Sequence, residues 1–321
     1  MSVNGKARDV SAYATVGDAL RGSPEDWPPS DRVDVEGNLL DKVQVTPSIW
    51  VNGSSASLDT PTAPYSRIVV VAPAQVSETT STEVSALPFD SSPHIWSRLW
   101  AEGAPGSASV AVGSISGKRS APVVVSAPVP ARSLADEATA ALTFDDGPDP
   151  TWTPVVLDIL KEKGVKATFF VLGGRAQAYP DLIRRAAADG HSIQNHSWNH
   201  PPAFGLLPFE VVFDEMNGTS AEIETITGKR PTFFRPPGGG LSADVEAASG
   251  QLGMKLAMWN VDPQDWAGNT AEGIYARVTQ GLGGGDMILL HDGGGDRGQT
   301  TAALPGIIDD LRNKGFTFVT L

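Results

Sequence analysis

Two pairs of polar residues in the C-terminal half of the sequence have the types and spacing needed for metal-assisted hydrolysis. Asp145 and Asp146 directly follow an apolar run, and His196 and His200 lie four residues apart. The histidine spacing predicts that both imidazoles lie on one side of a helical turn. With a carboxylate from another strand they would form a two-His, one-carboxylate metal site with one position open to water. Because adjacent residues that leave a strand point in different directions, one aspartate could bind the metal while the other acts as a general base.

The other candidate reactive groups also follow predicted strands, and they are Arg235, Asp262, Asp265, His291 and Asp292. In an open doubly wound sheet, only the strands beside the switch point would bring such groups together, whereas a barrel brings the carboxyl ends of all its strands to one mouth. The distribution of polar groups therefore favours a closed or nearly closed β/α barrel over an open sheet.

The elements that must position these groups begin near Ala138, where strand-like runs alternate with helical stretches. The seven predicted strands are 140–144, 166–172, 191–195, 232–235, 255–261, 287–291 and 316–321. An apolar face at helical spacing between Trp152 and Leu160 predicts a helix after the first strand, and further helices are expected at 209–227 and 301–313. Alternating strands and helices predict a parallel sheet with right-handed crossovers.

The first 133 residues have a different composition, rich in Ser, Thr, Pro and Val, with short β-branched runs separated by turn residues. This pattern predicts an all-β region or a pair of small β-rich modules. We therefore expect a β-rich accessory region at 1–133 and a catalytic domain at 134–321. Trp96 and Trp100, four residues apart, are expected to pack in a core and not to stack on sugars.

Composition excludes several classes of function. The formal charge is −13, from 24 Lys and Arg against 37 Asp and Glu, which disfavours nucleic acid and anionic membrane surfaces as partners. The absence of cysteine excludes disulfides and sulfur ligands, so a metal site must use His, Asp or Glu. No apolar run is long enough to span a bilayer, and the first residues lack the apolar core of a secretory signal. The protein is therefore expected to be cytoplasmic, or its export signal is absent from this chain.

Five ordered segments resemble the motifs of the NodB-homology polysaccharide deacetylases, carbohydrate esterase family 4. They are Thr-Phe-Asp-Asp-Gly-Pro at 143–148, His-Ser-Trp-Asn-His at 196–200, Arg-Pro-Pro-Gly-Gly at 235–239, Asp-Pro-Gln-Asp-Trp at 262–266 and Leu-Leu-His-Asp at 289–292. The resemblance extends over about 138–321. It implies a distorted (β/α) barrel that removes acetyl groups from sugars with one divalent metal, usually zinc.

The resemblance also implies a role for each matching residue. Asp146, His196 and His200 would bind the metal, Asp145 would be the general base, and His291 would be the general acid. Arg235 would hold Asp145, Asp262 would orient His291, and Trp266 and Leu289 would enclose the acetyl methyl group. Gly238 stands where many relatives have an aromatic residue whose backbone N–H stabilises the oxyanion; the N–H is retained here, but the ring is absent.

These roles predict a metal-dependent hydrolase that removes N-acetyl groups from β-1,4-linked N-acetylglucosamine polymers, either chitin-like glycans or peptidoglycan. Two alternatives remain, an acetylxylan O-acetyl esterase and a catalytically weak glycan- or cell-wall-binding protein. The segment 83–89, with the glycines that follow it, loosely resembles the β modules of secreted cell-wall enzymes. That resemblance implies a location outside the cell and possible association with the wall.

Overall fold

The chain in the computed structural model divides into two units, and the structure describes residues 2–7, 13–21, 29–43, 45, 47–63 and 66–321. The first, which we call the N-terminal unit, comprises Met1–Pro88 and Pro105–Pro128. The second, the barrel unit, comprises Phe89–Ala104 and Val129–Leu321. No helix in the described part of the chain is long and apolar enough to cross a membrane.

Short strands and one short helix account for the regular structure in the described part of the first 133 residues. In chain order they are β1 (Ser2–Val3), β2 (Lys6–Ala7), α1 (Val16–Arg21), β3 (Ser30–Val33), β4 (Leu39–Val43), β5 (Ser48–Val51), β6 (Ser54–Ala56), β7 (Arg67–Val71), β8 (Gln75–Ser77), β9 (Thr80–Leu87), β10 (Ile95–Trp96), β11 (Trp100–Ala101), β12 (Gly106–Gly113), β13 (Val123–Ser126) and β14 (Arg132–Ser133). The predicted β-rich character of this region is confirmed.

The described residues of the N-terminal unit form three small sheets, with strand orders β2-β1-β7-β5-β6, β4-β3-β8 and β13-β12-β9. The five-stranded sheet packs its buried side chains against α1, and this core contains Val3, Val16, Leu20, Ile49, Ile68 and Val70. Polar contacts join segments of the other two sheets. The buried Glu78 carboxylate, for example, accepts hydrogen bonds from the backbone N–H groups of Ile115 and Ser116.

Strands and helices alternate through the rest of the chain. They are β15 (Thr139–Asp145), α2 (Trp152–Lys163), β16 (Thr168–Val171), α3 (Gly173–Ala178), α4 (Pro180–Ala188), β17 (Ser192–Asn195), α5 (Phe209–Thr227), β18 (Phe233–Phe234), α6 (Ala243–Gln251), β19 (Lys255–Ala257), α7 (Ala271–Thr279), β20 (Asp286–His291), α8 (Gly298–Asn313) and β21 (Thr317–Phe318). Short 3₁₀ turns occur at Phe204–Leu206, Pro237–Gly239 and Asp265–Ala267.

The barrel unit is built on one parallel sheet with the order β10-β19-β18-β17-β16-β15-β20, and β21 pairs with β15. A parallel bridge between Val261 and Ile288 joins the two sides, so the ring is nearly closed although β19 itself ends at Ala257. The predicted distorted (β/α) barrel is therefore confirmed. Helices cover its outer face, where the largest core cluster joins the strands to α2, α4, α7 and α8.

One segment of the barrel unit comes from before the predicted domain boundary. Residues Phe89–Ala104 belong to the barrel unit, and their strand β10 pairs in parallel with β19 as an eighth strand. Trp96 is 4% exposed and packs edge-on against Phe233, with ring centroids 4.9 Å apart. Leu99 is also buried, and its N–H donates to the carbonyl of Gly285. A boundary between residues 133 and 134 would remove this part of the core, which composition alone did not indicate.

We expect Trp96→Ala to destabilise the barrel unit by about 3–5 kcal/mol, because it removes a large buried aromatic side chain. Trp50→Ala is the matched control, since Trp50 is 37% exposed and lies in the N-terminal unit. The measurement is hydrogen exchange of β15 to β20 across a denaturant series. Equal protection of these strands in the two variants would contradict the placement of Trp96 in the barrel core.

Candidate active site

The polar groups singled out in the sequence converge at the carboxyl ends of the parallel strands. Asp145 ends β15 and is paired in register with His291, which ends β20. His196 follows β17, and Arg235 follows β18. Since parallel strands present all their carboxyl ends at one mouth, residues far apart in sequence line a single groove of about 440 Å³.

Asp146, His196 and His200 form a cluster in which one ligand atom from each lies within 4.8 Å of the others. The Asp146 Oδ1 atom is 3.6 Å from the Nε2 atom of each histidine. The same oxygen is buried and has no hydrogen-bond partner in the described structure, which is costly for a carboxylate unless a cation binds it. The donor set therefore fits a divalent metal.

The tautomer of His196 is set from behind the cluster. Its Nδ1 lies 2.7 Å from the carbonyl oxygen of Arg235, which can only accept a hydrogen bond. The ring proton is thus on Nδ1, and the Nε2 lone pair faces the cluster. Burial lowers the pKa of His196 below its ordinary value, which keeps the imidazole neutral and available as a ligand.

The predicted helical turn between the two histidines is wrong. Residues 196–200 contain no helix, and Ser197 and His200 have left-handed backbone angles, with φ of 78° and 55°. The turn is held by polar contacts, because Asn195 Oδ1 accepts from the Ser197 N–H and Ser197 Oγ accepts from the His200 N–H. The two rings still come together, at 5.2 Å between centroids. A spacing of four residues suits this turn as well as a helix.

Asp145 is nearly fully buried, and its two oxygens have different neighbours. Oδ1 accepts a hydrogen bond from Arg235 Nη1 at 2.8 Å, and Oδ2 lies 3.7 Å from His196 Nε2. Arg235 is itself fully buried, and Nη1 also donates to Thr143 Oγ1. The predicted contact of Arg235 with Asp145 is therefore present in the structure. It leaves Oδ2 directed towards the metal cluster.

His291 is oriented by Asp265, and the predicted pairing with Asp262 is wrong. His291 Nδ1 lies 2.7 Å from Asp265 Oδ1, and the His291 N–H donates to Asp265 Oδ2. Asp262 instead accepts a hydrogen bond from the N–H of Gln264 at the edge of the groove. Both acids belong to one short motif, and only the 3₁₀ turn at Asp265–Ala267 determines which of them points at β20.

The electrostatics of this pair favour a protonated His291. Burial opposes the charged imidazolium, but the hydrogen bond and charge of Asp265, with the charges of Asp145 and Asp146, outweigh it and raise the pKa of His291. Burial also opposes ionisation of Asp265, and its bonds to His291 and Thr300 nevertheless lower its pKa. Because a carboxylate accepts from Nδ1, the Nε2 atom of His291 is left to face the groove.

The remaining predicted residues line the same groove. Gly238 has φ of 59°, in the left-handed region, Trp266 is 56% exposed, and Leu289 is buried. Trp259 and Arg297 are among the other lining residues, and neither has a role predicted from the sequence. Trp259 lies three residues before the fourth motif and inside the predicted strand 255–261, whereas the observed strand β19 ends two residues earlier, at Ala257.

Asp292 follows β20 but does not line the groove. It is fully buried, and burial raises its pKa to about 7. Its Oδ2 accepts a hydrogen bond from Thr153 Oγ1 at 2.5 Å. A Cβ atom at Gly147 would lie 2.4 Å from its carboxylate oxygens, so this aspartate packs directly under the turn that follows β15.

Comparison with known proteins agrees with this arrangement. The model of the polysaccharide deacetylase family matches residues 133–257. A peptidoglycan-N-acetylglucosamine deacetylase of Bacillus cereus is 40% identical over 188 residues, which cover 58% of this chain and 87% of the relative. The chain belongs to the polysaccharide deacetylase family. The family is also known as carbohydrate esterase family 4.

Two further relatives extend the range of named activities in this family. A chitooligosaccharide deacetylase of a Bradyrhizobium strain is 38% identical, over 54% of this chain and 85% of the relative. Among solved structures, a family 4 carbohydrate esterase from Streptomyces lividans in complex with acetate has 34% sequence identity to this chain and a TM-score of 0.54. The match covers 57% of this chain and 93% of the esterase chain.

We expect Asp265→Asn to move the alkaline limb of the kcat/KM profile to lower pH. Asp265 raises the pKa of His291, so its loss lowers that pKa, and the predicted general acid then loses its proton at a lower pH. Turnover of an N-acetyl substrate should fall about 10²-fold near neutral pH. The measurement is kcat/KM against pH for the variant and for Asp262→Asn as the control. If the alkaline limb moved further towards low pH in Asp262→Asn than in Asp265→Asn, the observed pairing would be contradicted.

Proposed function

We propose that the protein is a metal-dependent deacetylase that removes N-acetyl groups from β-1,4-linked N-acetylglucosamine polymers, such as chitin, chitooligosaccharides or peptidoglycan. The observation that supports this most strongly is that a two-His, one-Asp cluster lines the same groove as Asp145, which binds Arg235, and His291, which binds Asp265. The deacetylases of Bacillus and Bradyrhizobium named above support the substrate class.

The proposed metal is a single zinc ion, held by Asp146, His196 and His200. Bound there, it would polarise the acetyl carbonyl and make hydroxide available near neutral pH. The choice of zinc rests on the nitrogen-rich donor set.

Asp145 is proposed as the general base. Arg235 binds its Oδ1, so Oδ2 faces the cluster and can take the proton from the attacking water. The water oxygen adds to the acetyl carbon, and the backbone N–H of Gly238 is the proposed donor to the oxyanion that develops. Trp266 and Leu289 line the groove as the proposed walls around the acetyl methyl group.

His291 is proposed as the general acid. The carbon–nitrogen bond breaks only if the departing nitrogen receives a proton, because an amide anion is a very poor leaving group. His291 Nε2 supplies this proton while Asp265 holds Nδ1, and the products are acetate and a free amine. An alkoxide leaves with less help, which is why the same groove also suits the alternative of an acetylxylan esterase.

The location and the role of the N-terminal unit are further parts of this proposal. We propose a secreted or cell-wall-associated protein, since relatives are named for peptidoglycan, and we propose that the N-terminal unit binds the same glycan. The third alternative, a catalytically weak glycan-binding protein, fits less well, because all of the proposed reacting groups are present together in one groove.

Release of acetate tests the proposed function directly. We expect the zinc-loaded protein to release acetate from N-acetylglucosamine tetramer, to lose this activity with a chelator and to regain it with zinc. His200→Ala should lose at least about 10²-fold in activity and bind less than one zinc per chain. Release from acetylxylan alone would favour the esterase, and no release from either substrate would contradict the proposal.

Replacing His291 by Ala should penalise amide hydrolysis more than ester hydrolysis. The acid is worth about 10²- to 10⁴-fold where the leaving group needs a proton, and less where a phenoxide departs. The measurement is the loss of kcat/KM on the tetramer divided by the loss on 4-nitrophenyl acetate. A ratio of one would assign His291 a role other than protonation of the leaving nitrogen.

A further inference from the structure

Trp259 lies in the groove without a function in the chemistry described above. Its side chain is half-buried and lines the groove together with Trp266, Pro236 and Gly238. Trp96, which belongs to the barrel core, is by contrast 4% exposed. A tryptophan that is partly accessible in a substrate groove has surface left for a ligand.

The loop of three glycines at 238–240 lies directly against this ring. A Cβ atom at Gly239 would be 3.0 Å from Trp259 Cη2, which is closer than ordinary van der Waals contact. Gly239 also has φ of 70°, which disfavours any other residue. The indole therefore occupies the space into which a side chain at position 239 would project.

A second contact joins the Trp259 ring to Arg235, which binds the proposed base Asp145. The Arg235 guanidinium carbon is 5.7 Å from the centroid of the Trp259 ring and 4.1 Å from that of Phe170, so it lies within reach of both aromatic systems. Between this buried cation and the glycine loop, the indole has a defined position. A rigid, flat apolar surface beside the reacting groups is suited to a ligand that is itself rigid and flat.

We propose that Trp259 is a sugar-stacking residue, on which a pyranose ring of the bound N-acetylhexosamine chain packs, and that Gly239 makes room for it. This inference rests on the proposed function, because it assumes a glycan in the groove. The C–H groups on one face of a β-linked pyranose form an apolar surface that matches an indole and requires no charge. Trp259 thereby increases the affinity for oligosaccharides, whereas Trp266 and Leu289 are the proposed contacts of the reacting acetyl group.

Two substrates and two pairs of variants test the inference. The substrates are N-acetylglucosamine tetramer, which can reach the indole, and 4-nitrophenyl acetate, which has no sugar ring. Trp259→Phe and Trp259→Ala reduce or remove the flat surface. Gly239→Ala displaces the ring, and Gly253→Ala is its matched control, since Gly253 has φ of 69° and a Cβ atom there would meet nothing within 4 Å.

We expect Trp259→Ala to lose about 10- to 50-fold in kcat/KM on the tetramer, mainly through KM, with Trp259→Phe between it and the unchanged chain. The loss on the ester should be at least about fivefold smaller. Gly239→Ala should raise KM for the tetramer about threefold or more relative to Gly253→Ala. Equilibrium binding of the tetramer to Asp145→Asn, with and without Trp259→Ala, should change by the same factor as KM.

Three results would overturn the inference. Equal losses on both substrates with unchanged KM would mean that Trp259 acts only by supporting Arg235. Identical KM values for the tetramer in Gly239→Ala and Gly253→Ala would mean that the ring position is irrelevant to binding. Unchanged tetramer binding in Trp259→Ala would exclude stacking. Failure of the proposed function is distinguishable, because the unchanged chain would then release no acetate from the tetramer.

Discussion

The buried guanidinium of Arg235 is the group on which the rest of the active site depends. A fully buried charge costs several kcal/mol unless it is paired and hydrogen-bonded. Arg235 meets this requirement with the Asp145 carboxylate, the Thr143 hydroxyl and two backbone carbonyls at the end of β19. Its own carbonyl oxygen fixes the tautomer of His196. One residue therefore positions the proposed base and a proposed metal ligand, and it joins strands that lie far apart in sequence.

Four aspartates near the groove differ in function because their neighbours differ. Asp145 is paired with a permanent cation, while Asp146 has an oxygen with no partner among the described residues. Asp265 accepts two hydrogen bonds from His291. Asp292 is buried, accepts a hydrogen bond from the Thr153 hydroxyl and has its pKa raised by burial to about 7. The same type of side chain thus provides the proposed base, a proposed metal ligand, a carboxylate that orients His291 and an internal packing group. Residue type alone separates none of these roles.

Sequence reasoning succeeded where the pattern is local or the motif is rigid. The alternating strands and helices of the barrel follow from hydrophobic spacing, and the convergence of polar strand ends follows from parallel topology. It failed where long-range contacts decide the outcome. The eighth strand at Ile95–Trp96 lies within a region of accessory-like composition, and only its pairing with β19 assigns it to the barrel. The helical turn predicted for the two histidines is absent, because four-residue spacing does not distinguish a helical turn from the turn observed.

The error over Asp262 has a specific physical origin in the backbone of the barrel mouth. Several non-glycine residues there, Asp146, Ser197, His200 and Gln264, have left-handed angles, each of which costs about 1 kcal/mol or more. A nearby polar side chain offsets this cost in three cases, and for Gln264 it is Asp262, which accepts the Gln264 N–H. That turn is followed at once by the 3₁₀ turn that directs Asp265 to His291. Asp262 therefore acts one step further from the chemistry than the motif implies, since it holds the backbone that places the orienting carboxylate.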